Sequence, residues 1–201
     1  MILKSKIAMI SFLALFTFIL SDSTFAHCDS MEGPVVKAAQ KALETGNINY
    51  VLIWIKAEYE SEIQNLFDKV LRVRTLNNEA LELADMYFYE TVVRLHRMGE
   101  GVGYTGLKPA GYRPEEGIEA ADIAIEKGSV EEILQHADKS KHSDVIKYFN
   151  DVQLKKNYKV NDIKAGREFV EAYVHFIHYV EKLFNTDKNE NQHNTHNQNH
   201  F

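Results

Sequence analysis

The chain has 201 residues, a formal net charge of −6 and a single cysteine. A mildly acidic surface argues against nucleic acid and anionic membrane as partners, and a lone thiol excludes an internal disulfide. The length suffices for one domain with a sizeable core.

Residues 1–26 read as a signal peptide. Lys4 and Lys6 form a basic start, Ile7 to Leu20 is almost wholly apolar, and Thr24-Phe25-Ala26 supplies small residues ahead of a cut. Cleavage after Ala26 makes His27 the new terminus; Ser21 and Ser23 also obey the small-residue rule, so cleavage after Ser23 is the alternative. The segment is too short and too early for a spanning helix, and His27 before Cys28 is too bulky for lipidation. Losing Lys4, Lys6 and Asp22 takes the charge from −6 to −7. The mature protein is expected to be exported, in a periplasm or outside the cell, with no stable membrane insertion.

The remaining pattern predicts an all-α fold. Pro34 suits the first turn of a helix that Gly46 ends. A second helical region runs from Asn47 to about Arg74, broken near Ala57 to Glu60; Tyr50 to Ile55 alone has the look of a strand, but its neighbours read as helix. Asn77 or Asn78 caps a third helix reaching Met98. Residues 99–114, rich in glycine, read as a linker loop. Pro114 or Glu115 opens the next helix, which Gly128 ends, and Ser129 with Glu132 forms a capping box for another. His142 to Asn157 follows, and a last helix runs from Asn161 or Asp162 to Phe184. Residues 185–201 are almost free of apolar side chains and are expected to be disordered. Their His193, His196 and His200 offer at most weak chelation.

The two halves resemble each other. Ala38 to Gly46 matches Ala120 to Gly128 at an offset of 82, which continues through Phe67/Phe149, Val70/Val152 and His96/His178. The expectation is one helical bundle over 27–184, built by internal duplication from halves of about 34–98 and 116–184. The long helices that end each half would then pack as central partners.

Two groups of residues carry candidate chemistry. A chain starting at His27 places an α-amine, an imidazole, a backbone amide and the thiol of Cys28 within reach of one ion. A thiolate selects nickel, copper or zinc over magnesium or calcium. On the last helix Glu171, His175 and His178, spaced four and three apart, share a face. His96, matched to His178, is the candidate to complete an interior metal site. Glu90 and Arg94, four apart, read as an ion pair. Covalent-haem, phosphate-loop and serine-hydrolase signatures are missing.

The start His27-Cys28-Asp29-Ser30-Met31-Glu32-Gly33 resembles that of nickel-containing superoxide dismutase, whose mature chain begins His-Cys-Asp-x-x-Cys-Gly. The resemblance implies a helical bundle, a metal hook exposed by processing, a hexameric assembly, and ligands at His27 and Cys28. Glu32 stands where that family has its second cysteine. More of the chain is similar to a family of uncharacterised exported bacterial proteins, through His27 to Val35, Tyr104 to Gly111 and Glu171 to His178; that family carries no activity over. The sequence therefore points to an exported metal-binding bundle, with a homo-oligomer compatible. The competing readings are a metal-free binding or structural module and a redox enzyme acting on superoxide or another small oxidant.

Overall fold

The computed structural model describes residues 27–196, with side chains described to Thr186; the expected signal peptide lies outside the described residues. Within them the protein is all-α, with eight α-helices and no strands. They are α1 (Pro34–Thr45), α2 (Asn49–Leu52), α3 (Glu60–Val73), α4 (Asn78–Glu100), α5 (Glu116–Lys127), α6 (Glu131–His136), α7 (His142–Lys155) and α8 (Ile163–His196). Short 3-10 turns at Ala57–Tyr59 and Lys139–Lys141 precede α3 and α7.

Local chemistry sets these boundaries. Pro34 opens α1 with its fixed φ. Gly46 and Gly128 close α1 and α5 at φ 67° and 71°, a left-handed cap that glycine adopts without a Cβ penalty. The Asn77 side chain accepts from Ala80 N–H at 2.8 Å to cap α4. Asp162 accepts from Ala165 N–H at 3.0 Å at the start of α8. The expected capping box at Ser129 does not form: its hydroxyl pairs with Glu131, and Val130 takes the cap position. Tyr50 to Ile55 is helix and turn, as its helical neighbours required.

The core follows helical spacing. Val35, Val36, Ala39, Ala42 and Leu43 of α1 are buried with Ile63, Phe67 and Val70 of α3 and with Phe88, Val92 and Leu95 of α4. A second set joins Ile118, Ala121 and Ala124 of α5, Val145, Phe149 and Val152 of α7, and Phe176, Val180 and Phe184 of α8. Glu116, Glu131 and His142 open their helices 82 positions after Pro34, Asn49 and Glu60.

One expectation is corrected and two observations are added. The long helices do not pair closely: α4 packs on α1 and α3, and α8 on α5 and α7. Bulky side chains keep them apart, with the Trp54 ring edge-on to both His96 of α4 (5.9 Å) and Tyr173 of α8 (5.8 Å). Residues 101–115 are more than a linker, because Lys108 hydrogen-bonds Asp29 O (2.8 Å) and Met31 N–H (3.1 Å), tying the loop to the terminal segment. Finally, α8 runs past Phe184 to His196, into the stretch expected to be disordered. No helix among the described residues is long and apolar enough to cross a membrane.

Candidate functional site

The terminal segment is seated on the bundle rather than free. His27 to Ser30 coils tightly: the His27 carbonyl accepts from Ser30 N–H (3.2 Å) and from the Ser30 hydroxyl (3.1 Å). Gly33 lies so close that a Cβ there would collide with this carbonyl. Asp29 is 3% exposed and accepts from Nε of the fully buried Arg97 at 2.6 Å. Arg97 Nη1 also donates to Glu100 at 2.9 Å. Glu32 turns away and accepts from Gly111 N–H at 3.2 Å.

Cys28 sits where these charges converge. Burial first, then the Glu100 carboxylate, pushes its thiol from 9.0 up to about 12; Asp29 and Asp122 push the same way and Arg97 opposes them. Three carboxylates thus act on the thiol against one guanidinium, so the free protein holds it protonated. Asp122 is shared. It accepts from the Tyr173 hydroxyl at 2.8 Å and lies 2.6 Å from His27 Nε2. That second approach is an ion-pair contact without hydrogen-bond geometry, and Nδ1 of His27 is buried with no hydrogen-bond partner. Burial and the neighbouring Asp122 raise the Tyr173 hydroxyl well above its ordinary value.

A cavity of about 20 Å3 lies among His27, Cys28, Arg97, Glu100, Tyr173 and His178. That volume admits one water-sized body. His178 Nδ1 donates to Glu181 at 3.0 Å; Glu181 is 2% exposed and its other oxygen has no partner. Buried Glu181 therefore fixes the orientation of the His178 ring.

A second, larger pocket of about 620 Å3 lies alongside. Ile53, Trp54, Ile55, Val170 and Val174 form its apolar walls, and His96, Glu100, Arg167, Glu171 and His175 its polar ones. Glu100 and Val174 belong to both cavities. His96 is 4% exposed; its Nδ1 donates to Trp54 O at 2.9 Å, and Nε2 lies 3.4 Å from Glu100 Oε1 without a hydrogen bond.

The six candidate residues thus divide. His27, Cys28 and His178 surround the small cavity, while His96, Glu171 and His175 line the large one. Glu171 and His175 are exposed. Among the described residues no group of three or more His, Cys, Asp or Glu side chains is placed to hold a metal ion. Arg94 pairs with Glu62 at 2.8 Å, not with Glu90. Sequence reasoning missed Asp29, Arg97, Glu100, Asp122 and Glu181. For Asp29 and Arg97, 68 positions apart, the pairing has no local signal.

Residues 32–179 match a family of unknown function (DUF6448). No curated protein and no solved structure matches the chain.

Proposed function

The chain belongs to this family of unknown function, and we propose that it is an exported protein whose processed N-terminus holds one late first-row metal ion against α8. The observation that carries the reading is the His27 imidazole, its Nδ1 buried with no hydrogen-bond partner and its Nε2 against Asp122, beside an ion-sized cavity that Cys28 and His178 also line. The charge balance agrees: Asp29, Glu100 and Asp122 act on Cys28 against Arg97 alone, a surplus of negative charge that a cation offsets.

Cleavage after Ala26 frees the His27 amine, which joins its own imidazole, the Cys28 amide and the Cys28 thiol. His178 approaches from α8, held by Glu181 as carboxylates commonly hold ligating histidines. The same groups that keep the thiol protonated favour a metal ion, whose charge drives that proton off. Thiolate and imidazole donors select nickel, copper or zinc. Binding releases the thiol proton, so affinity rises with pH.

The test is a titration of nickel, copper and zinc into protein starting at His27 and into protein that retains Ala26. Both carry His193→Asn, His196→Asn and His200→Asn to remove adventitious chelation. One ion per chain in the first protein and none held stoichiometrically in the second is the expected result. Equal binding in both overturns the terminal site, and absence of binding in both overturns the metal reading.

The same reading takes the architecture as an internal duplication. Supporting it are the 82-residue offset between α1–α3 and α5–α7 and the matching packing, α4 on α1 and α3, α8 on α5 and α7.

A further inference from the structure

The large pocket shares Glu100 and Val174 with the terminal cavity but is otherwise lined by residues of its own. Its volume of about 620 Å3 falls in the range of small-molecule sites, roughly 300–1,000 Å3. Its walls are largely apolar, and the only tryptophan of the chain, Trp54, forms part of them. The polar groups decide what kind of head group fits.

His96 is the informative one. The Trp54 carbonyl can only accept, so Nδ1 of His96 must donate to it at 2.9 Å. With that donor placed, Nε2 of the neutral form is a bare acceptor; the atom is buried and has no hydrogen-bond partner. Its neighbour at 3.4 Å is Glu100 Oε1, also an acceptor. In that form two acceptors face one another with no donor between them, and such a buried pair is costly unless something supplies an N–H or O–H.

The charges favour an amine for that donor. Arg167 gives Nη2 to the carbonyls of Leu52 (3.2 Å) and Ile55 (3.0 Å) and to Glu60 (2.6 Å). Its Nε lacks a partner, but Glu60 already matches its charge, so it exerts little pull on an anion. Lys56 is exposed at the edge. Two acids also line the pocket: Glu100, whose other oxygen accepts from Arg97 Nη1, and the exposed Glu171.

We propose that the pocket between Trp54 and α8 binds a small organic amine with a flat apolar body, its ammonium group taken by His96 and Glu100. The assignment stands on the pocket's own residues and does not depend on metal at the terminus.

Trp54 makes the test direct. Benzylamine, benzyl alcohol and benzoate are titrated into the mature protein while Trp54 emission is followed. Benzylamine is expected to saturate and to bind about tenfold or more tightly than benzoate, the scale of one charge-assisted hydrogen bond. Glu100→Gln should erase that preference. Val170→Phe fills the pocket at a half-buried position; it should weaken benzylamine about tenfold or more while the circular-dichroism melting midpoint stays put. Protein that retains Ala26 should bind benzylamine unchanged, which separates this site from the metal site. Failure of all three probes, benzoate binding as tightly as benzylamine, or full affinity in Val170→Phe would each overturn the proposal.

Discussion

The cavity at the terminus and the pocket beside it share Glu100 and Val174 as a common wall, yet one offers about 20 Å3 among ionisable groups and the other about 620 Å3 among apolar ones. Helix α8 supplies both linings from adjacent faces. Tyr173, Val174, Ile177 and His178 look onto the small cavity, and Val170, Glu171, Val174 and His175 onto the large one. Each set recurs at the three- and four-residue spacing of one helical face. A shift of three positions along the helix, a turn of about 60°, thus separates the face on the small ionisable cavity from the face on the large apolar one.

The largest effect that sharpens this contrast falls on Arg97. It is fully buried and bonded to both Asp29 and Glu100. Arg97→Leu strands the buried Asp29 carboxylate, and removing one partner of a buried pair costs about 3–5 kcal/mol. Urea unfolding of the metal-free protein should report that loss, with part of it recovered on adding nickel. A loss below about 1 kcal/mol would mean that the terminal segment is not clamped as described.

Glu181→Gln keeps the shape of the side chain while weakening its hold on His178. Metal affinity should fall about 10–100-fold, the usual consequence of loosening a ligand's carboxylate support, while benzylamine binding stays unchanged. Equal losses at both cavities would erase the distinction between them.

Gly33→Ala acts on the terminal coil. Its Cβ would collide with the His27 carbonyl, so the backbone of His27 must shift, at about 1–3 kcal/mol. The expected readout is a weaker metal titration with the Trp54 emission of the large pocket undisturbed.

Much of the fold and part of the site were legible in the sequence. Helix ends at Pro34, Gly46, Asn77 and Gly128 rest on backbone chemistry that reaches only a few residues, so they can be read locally. His27 and Cys28 were legible because their chemistry follows from adjacency. The clamp of Asp29 on Arg97 and the Asp122 carboxylate between Tyr173 and His27 depend on which helices meet, which no local period encodes. Glu171, His175 and His178 share a stripe in the sequence, but the stripe straddles the wall between two cavities.

The smallest effect is a pH dependence of the metal-free protein. The Cys28 thiol is raised from 9.0 to about 12. Below pH 9 both folded and unfolded chains keep this proton. Above it the unfolded chain releases the proton first, so the stability contribution is lost as pH rises from about 9 towards 12. The Tyr104 hydroxyl, pushed by burial from 10.0 to about 12, adds to the decline only above pH 10. Between pH 8 and 10 the melting temperature of the wild-type protein should therefore fall further than that of Cys28→Ser. Identical slopes would place the thiol in a more solvated setting.

The most direct test of the central claim is a single measurement on protein exported by its native host: intact mass and metal content from one sample. The account predicts a chain beginning at His27 with one nickel, copper or zinc ion per molecule. A chain beginning at Thr24, or one beginning at His27 with no bound metal, would contradict it.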